Sequence, residues 1–195
     1  MPDTDLHERL TSFDEVARRC PARSPRFGSD DPPRVPAMHD VIYPPVPFPS
    51  ARVFREAGES AIRRLVFVQH ERMFATPVAE LFPADASRRA EAVRRTEDFF
   101  VEMLGGPRRF TPVHGEPHLR ERHFPVAITE ADRLTWLNSL AEAMVETGFP
   151  RGCREEVWNW VEPLSIRMIN RRTTMHAVER LPWSEQARLH AEVGS

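Results

Sequence analysis

Residues 114–126 read HGEPHLRERHFPV, a stretch that holds three histidines and two prolines. His114 and His118 have the four-residue separation of a helical zinc motif, and Glu116 could supply the carboxylate that such sites carry nearby. Pro117 lies between the two histidines and disrupts the helical turn that they would have to share. The spacing therefore disfavours a hydrolytic zinc site in this stretch.

His123 has a different local sequence from the other two histidines. The residues LRER before it can form one helical turn, and Pro125 would end that turn just after the histidine. A histidine in this position can direct Nε2 at a metal while Nδ1 donates to a backbone carbonyl one turn earlier, here that of Leu119. The pattern alone is weak evidence for a ligand, because a histidine among apolar residues is more often a hydrogen-bonded core group.

Apolar residues recur at helical spacing through the rest of the chain without strand-like alternation, which predicts an all-α fold. Ser50 is expected to cap a first short helix that breaks at Gly58, and Thr129 with Asp132 has the pattern of a capping box. Gly105-Gly106-Pro107 predicts the stop of a long helix. The predicted helices beyond residue 50 are 51–58, 61–74, 85–104, 129–148 and 154–171, with only short turns between 110 and 128.

The N-terminal part of the chain differs in composition from the rest. Nine prolines lie between residues 20 and 50, which predicts extended or polyproline II chain. We therefore divide the chain into a proline-rich N-terminal extension at 1–50, a helical domain at 51–172 and a C-terminal extension at 173–195. Apolar residues at helical spacing predict one short helix within the N-terminal extension: Leu6, Leu10, Phe13 and Val16.

Charge, the lengths of apolar segments and cysteine content argue against several classes of protein. The chain has 195 residues and a net charge of −2, so it has no excess of positive charge with which to bind a nucleic acid. No segment has the pattern of a secretory signal or is apolar for long enough to span a bilayer, which predicts a cytoplasmic protein without membrane attachment. Cys20 and Cys153 lie far apart and indicate neither a disulfide framework nor a cysteine metal site.

The region around His123 resembles the group II truncated haemoglobins. Those proteins have Gly-Gly-Pro after a long helix, then an aromatic residue, then Gly-His-Pro-x-Leu-Arg-x-Arg-His-x-Pro-Phe, and a tryptophan thirteen positions after the last histidine. Upstream, FREAGESAIRRLV resembles the first two helices of the family and ELFP its connecting turn, so the likeness covers about residues 52–170. Glu116 and Val126 depart from the family pattern in the loop around the histidine. The counterparts here are Gly105-Gly106-Pro107, Phe110, Gly115-Glu116-Pro117, Leu119-Arg120, Arg122-His123, Pro125 and Trp136.

The resemblance implies a shortened globin, in which helices packed two over two enclose haem b and His123 is the proximal ligand of the iron. Arg120 and Arg122 would lie near the carboxylate edge of the haem, either paired with a propionate or in solvent. Side chains implied to line the pocket, which are equally compatible with ordinary core packing, are Phe82, Phe99, Phe100, Leu119 and Trp136.

On the distal side the family usually has a tyrosine on the second helix, whereas the only tyrosine here is Tyr43. Counting back from Phe82 places Gln69 at that position, which is the alignment we favour, whereas aligning the start of the helix places His70 there. Gln69 would leave the iron five-coordinate, and His70 could bind it as a sixth ligand. Further distal positions implied by the resemblance are Ala92, Thr96 with a hydroxyl, and Trp136 with an indole N–H.

The resemblance implies a haem protein that reversibly binds dioxygen or another diatomic gas, such as nitric oxide or carbon monoxide. A nitric oxide dioxygenase or a peroxidase on the same site is an alternative, and it would need a separate reductase because no flavin or nicotinamide fingerprint is present. A six-coordinate iron would suit a haem-based sensor or electron transfer. A haem-free interaction module is a third option, and assembly into a homodimer is left open by the sequence.

Overall fold

The computed structural model describes residues 43–174 and 176–184, so the helix expected near the N-terminus lies outside the described residues. In these ranges the chain is helical and has no strand, which confirms the predicted all-α fold. None of the helices described combines the length and the apolar character that crossing a bilayer requires. The helices are α1 (Arg52–Phe74), α2 (Ala86–Met103), α3 (Thr111–His114), α4 (Leu119–His123), α5 (Glu130–Glu146) and α6 (Arg151–Ile166), with a short 3-10 helix at Pro77–Leu81.

Helix α1 is central, because it contacts α2, α5, α6 and the 3-10 helix, while α6 also packs on α5. The buried face of α1 carries Ile62, Leu65 and Val66. Burial of a large apolar side chain contributes about 1.5–3 kcal/mol, so a shared core of this kind holds the helices together. The facing helices contribute Phe99 and Phe100 from α2, Leu137 and Leu140 from α5, and Trp158 and Trp160 from α6.

Several helix ends follow local signals in the sequence. The side chain of Asp85 accepts a hydrogen bond from the backbone N–H of Arg88 at 2.9 Å, which begins α2 where it was predicted. Thr129 and Asp132 form the predicted capping box at the start of α5. Gly58 interrupts α1 with a φ of 78°, which confirms the predicted break.

The predicted start of α1 and both predicted ends of α6 are wrong. Ala51 rather than Ser50 is the N-cap of α1, and no side chain caps this end. The backbone N–H of Ser50 instead donates to the carboxylate of Glu156 at 2.5 Å, which joins the start of α1 to α6. Helix α6 spans Arg151–Ile166 rather than 154–171, and the backbone that follows it bonds to the loop after α4 through the N–H of Asn170.

The two glycines after α2 let this helix end against the start of α1. Gly105 has a φ of 91°, which favours glycine, and a Cβ on Gly106 would lie 2.5 Å from the ring of Phe54. Across the same contact the N–H of Phe54 donates to the carbonyl of Leu104 at 3.1 Å. The stop signal of α2 is therefore also the point at which α1 and α2 are joined.

Both extensions contact the helical body where the structure describes them. Residues 43–50 run along it without helix, with Val46 buried and Phe48 packed against the core. On the C-terminal side the indole N–H of Trp158 donates to the carbonyl of Leu181 at 2.6 Å. These parts of the two extensions therefore pack on the same core as the helices, although their sequence pattern sets them apart.

A buried carboxylate holds the C-terminal segment in place. Glu162 on α6 accepts from Arg133 on α5 at 2.6 Å, and only 3% and 2% of these side chains are exposed. The same carboxylate accepts from Arg180 at 2.7 Å and from the backbone N–H of Leu181 at 3.1 Å. Arg133 also donates to the carbonyl of Glu179 at 3.0 Å. One buried acid therefore fixes α5, α6 and the C-terminal segment to one another.

We expect Glu162→Gln to lower the free energy of unfolding by about 3 kcal/mol, because removing one partner of a buried ion pair leaves the other charge uncompensated. Chemical denaturation of the purified protein measures the difference. Glu155→Gln replaces an exposed residue on the same helix and is the matched control, with an expected change below about 0.5 kcal/mol. Equal stability of the two variants would contradict this role of the buried acid.

Candidate functional site

His123 is the last residue of α4 and forms the hydrogen bond expected from the sequence. Its Nδ1 lies 2.6 Å from the carbonyl oxygen of Leu119. Because a carbonyl can only accept, Nδ1 carries the proton and the lone pair of the neutral ring is on Nε2. Burial lowers the pKa of His123, against the opposing effect of the Leu119 carbonyl, so the ring is neutral near pH 7. The histidine is therefore in the tautomer that a metal ligand at Nε2 requires.

The loop before α4 is held by Arg122, for which the resemblance implies a place at the haem edge. Its guanidinium donates to the carbonyls of Pro117 at 2.8 Å, His114 at 2.6 Å and Glu116 at 3.3 Å. It also lies over the ring of Phe110, 5.5 Å from the centroid. A propionate would therefore have to compete with three backbone carbonyls for this guanidinium.

Arg120 lies against the segment that precedes α1. Its guanidinium donates to the hydroxyl of Tyr43 at 2.9 Å and lies 5.5 Å from the centroid of that ring. Arg167 also approaches the ring, at 5.2 Å, and donates to the carbonyl of Pro44 at 2.9 Å. The tyrosine in the proline-rich segment thus joins α4 to the end of α6, a role that the sequence patterns did not predict.

Asn170 is a site residue that the sequence patterns did not reveal. It follows α6 and lies 47 positions after His123, yet its Nδ2 donates to the carbonyls of His123 and Val126, both at 2.9 Å. Its Oδ1 accepts from the N–H of Ile128 at 3.0 Å. An asparagine after a helix is a common feature, so it gave no signal of a contact with the segment around His123.

Gln69 and His70, the two alternatives for the distal position, are both buried but have different contacts. Nε2 of Gln69 donates to the backbone carbonyl of Trp136 on α5 at 3.2 Å. Its Oε1 is buried and has no hydrogen-bond partner among the residues that the structure describes. The Gln69 amide is thus directed at the interface between α1 and α5.

The ring of His70 lies in an aromatic group with Phe74 and Phe82, at centroid distances of 6.1 and 5.7 Å. Its Nδ1 lies 2.7 Å from the carbonyl of Val66, so Nδ1 carries the proton and Nε2 has the lone pair. Burial lowers the pKa of His70, against the effect of the Val66 carbonyl, and keeps the ring neutral. His70 therefore has the same tautomer as His123 and lies beside the aromatic residue of the turn.

The other two predicted distal donors, Thr96 and Trp136, differ in whether their proton already forms a hydrogen bond within the protein. The hydroxyl of Thr96 donates to the carbonyl of Ala92 at 3.1 Å, one turn earlier in α2. Trp136 is partly buried against the core, and its indole N–H has no hydrogen bond within residues 43–174 and 176–184. Trp136 is therefore the predicted distal donor whose proton is available to a ligand.

One small apolar cavity is lined by two of the predicted pocket residues, Phe99 and Leu119. Phe99 and Phe100 are buried against Trp160, at centroid distances of 5.9 and 5.3 Å. Phe99 also borders the cavity, on whose other side lies Leu119 of α4, so the structure brings α2 and the histidine helix to a common apolar surface. The residues that line this cavity are Phe48, Phe99, Met103, Pro117, Leu119, Trp160 and Leu164.

The sequence model of the bacterial-like globin family matches residues 53–170 of this chain. The chain belongs to the bacterial-like globin family. It is similar to the group 2 truncated hemoglobin YjbI of Bacillus subtilis (strain 168), with 32% identity over 118 residues that cover 60% of this chain and 87% of that protein. The resemblance to the group II truncated haemoglobins is thereby confirmed.

Solved structures show how far this globin's likeness extends. The group II truncated hemoglobin from Bacillus anthracis is 32% identical, with a TM-score of 0.58, and the match covers 62% of this chain and 98% of that one. The crystal structure of phosphate-bound Hell's gate globin IV is 42% identical, with a TM-score of 0.75, and the match covers 83% of this chain and 99% of that one. The match to Hell's gate globin IV covers a larger part of this chain than residues 53–170 do. The likeness therefore includes residues outside the region that the family model matches.

The residues of the site fit a haem, which is the cofactor that membership of this family implies. His123 offers a neutral imidazole whose Nε2 bonds to no other residue in the described ranges, and Leu119 of the same helix packs on the apolar core. A haem iron needs one such ligand, whereas a zinc site needs three or four. No group of three or more histidine, cysteine or acidic side chains able to hold a metal occurs in the part of the chain that the structure describes.

We expect Arg122→Lys to lower the free energy of unfolding by about 1–2 kcal/mol, because a single ammonium cannot reproduce the bonds of a guanidinium to three carbonyls. Denaturation midpoints measure the loss. Arg94→Lys on the exposed face of α2 is the matched control and should leave the midpoint unchanged. If the two variants have the same midpoint, the carbonyl bonds do not hold the loop before α4.

Proposed function

We propose that this globin holds haem iron through His123 and reversibly binds dioxygen or another diatomic gas at that iron. The observation that carries the proposal is the hydrogen bond from Nδ1 of His123 to Leu119, which leaves Nε2 as an unprotonated ligand atom. The haem, when bound, supplies an iron with a coordination position for the gas. It would be haem b, because Cys20 and Cys153 lie too far apart in sequence to form the paired attachment site of a c-type haem.

We further propose that His70, and not Gln69, faces the iron on the distal side. Gln69 has one amide proton bonded to the carbonyl of Trp136, whereas His70 lies against Phe82, the aromatic residue that the family places beside the haem. Because the proton of neutral His70 is on Nδ1, its Nε2 can accept a hydrogen bond or bind a metal but cannot donate. His70 would therefore compete with a gas for the iron rather than stabilise it by a hydrogen bond.

Stabilisation of a gas ligand would then depend on Trp136. Its indole proton is not used within the described chain, whereas the hydroxyl proton of Thr96 is donated to Ala92. A hydrogen bond to a partner with negative charge contributes about 1.5–3 kcal/mol, which corresponds to roughly a factor of ten to one hundred in affinity. Ligands that become negatively polarised at iron, such as dioxygen, would gain more from this donor than carbon monoxide would.

An electron-transfer protein or haem-based sensor is the second candidate, and the tautomer of His70 is the observation that favours it. A second imidazole on the iron would suit these functions better than gas carriage, because the gas would first have to displace it. A nitric oxide dioxygenase or peroxidase reaction would need a separate reductase. That reaction stays a prediction, as do a homodimer and a cytoplasmic location.

We expect His123→Ala to lose most of its haem and the ferrous spectrum of the wild type, because the substitution removes the only bond between protein and iron that the site offers on the proximal side. Visible spectra and the molar ratio of haem to protein, measured after haem is supplied, test this. His118→Ala is the matched control on the same loop, where 42% of the side chain is exposed, and should keep its haem. A wild type that stays colourless, or a pigmented His123→Ala variant with an unchanged spectrum, would overturn the proposal.

We expect the ferrous wild type without gas to show the pair of sharp visible bands of a low-spin, six-coordinate haem. His70→Ala should convert it to a high-spin spectrum and speed the binding of carbon monoxide, because no internal ligand has to leave first. Gln69→Ala, the substitution of its neighbour, should keep the low-spin bands. A high-spin spectrum in the wild type, unchanged in His70→Ala, would mean that His70 does not bind the iron.

A further inference from the structure

We propose that Asn170 is a positioning residue for His123, which fixes the direction in which the proximal imidazole meets the haem. The inference rests on the proposed function of His123 as the iron ligand. It concerns a residue outside the sequence motif around His123, whose side chain bonds to the backbone of this segment. Its basis is the set of three side-chain hydrogen bonds between Asn170 and the segment 123–128.

The orientation of the Asn170 amide follows from its partners. One end of the amide lies 2.9 Å from the carbonyl oxygens of His123 and Val126, which can only accept, so this end is the NH₂ group. The other end lies 3.0 Å from the backbone N–H of Ile128, so it is the carbonyl oxygen. An asparagine side chain therefore satisfies three backbone groups at once, which neither aspartate nor serine can do.

Helix α4, which carries His123, is too short to be stable without contacts to the rest of the fold. Helix α4 spans only Leu119–His123, and an isolated turn of this length is unstable because fixing its first residues costs more than its few hydrogen bonds return. The carbonyls at its end would lack helical partners, and that of His123 instead accepts from Asn170 and from the N–H of Val126 at 3.2 Å. Asn170 thus acts on the backbone of the ligand residue itself.

The backbone around Asn170 fixes this contact to a larger element. The N–H groups of Asn170 and Arg171 both donate to the carbonyl of Ile128, at 3.1 and 2.9 Å. These residues follow α6 after only three intervening residues, 167–169, and the buried face of α6 belongs to the main core. The end of α6 therefore serves as the fixed support against which the segment after His123 is held, and a shift of that segment would turn the imidazole at Nε2.

The test is the iron–histidine stretching band, recorded by resonance Raman spectroscopy immediately after photolysis of the carbon monoxide complex, when no sixth ligand is bound. Asn170→Asp keeps the size of the side chain and the acceptor for Ile128, but turns the donor toward His123 and Val126 into an oxygen. We expect its band to shift or broaden, and haem transfer to apomyoglobin to become about tenfold faster, which is the lower end of the loss in metal affinity when an outer-shell contact is removed. Asn159→Asp, at an exposed position of α6, is the matched control and should match the wild type in both measurements.

Folding and ligand orientation are separated by the choice of readout. A folded Asn170→Asp variant with the wild-type band would overturn the proposal, even if its melting temperature fell, because a purely structural role lowers stability without changing the iron–histidine bond. If that variant does not fold, Asn170→Ser removes the amide without adding charge and is judged by the same band. Pigmented His123→Ala with an unchanged spectrum would refute the proposed function, whereas colourless His123→Ala beside an unchanged Asn170→Asp would refute the positioning role alone.

Discussion

The site depends on one hydrogen bond, from Nδ1 of His123 to the carbonyl of Leu119 at 2.6 Å. The bond joins residues one helical turn apart, so it needs only the local fold of α4. It fixes the tautomer, and burial lowers the pKa of His123, so the ring presents an unprotonated Nε2 at neutral pH. The local fold of α4 therefore gives His123 the tautomer and protonation state that a haem ligand would need.

A helix of five residues has to be positioned by the rest of the fold. Arg122 binds the carbonyls of the loop before α4, and Asn170 binds those of the segment after it. Both side chains act on backbone groups, so they determine where the chain runs rather than which side chains it carries. The two extensions are held by side chains as well: Arg120 of α4 donates to the hydroxyl of Tyr43, and Glu162 of α6 accepts from the backbone N–H of Leu181.

On the proposed distal side, the chemistry would depend on which side-chain protons already form hydrogen bonds within the protein. His70 donates its proton to Val66, and Thr96 donates its proton to Ala92, so neither side chain is left as a donor in this state. Trp136 keeps an unused indole proton within the described chain. If His70 faces the iron as proposed, Trp136 would offer a ligand an indole donor and His70 an unprotonated nitrogen.

The sequence by itself determined the helices, the family and the candidate ligand. These follow from neighbours: Gly105-Gly106-Pro107 stops α2, and His123 reaches the carbonyl of Leu119 within one turn. Only the tertiary structure decided that His70 rather than Gln69 lies beside the turn aromatic, and that Asn170 holds the segment around His123. Two adjacent residues on one helix differ by about 100° in direction, so their surroundings depend on how that helix is rotated against its neighbours. The contact of Asn170 spans 47 positions and depends on where two helix ends meet, which no local pattern encodes.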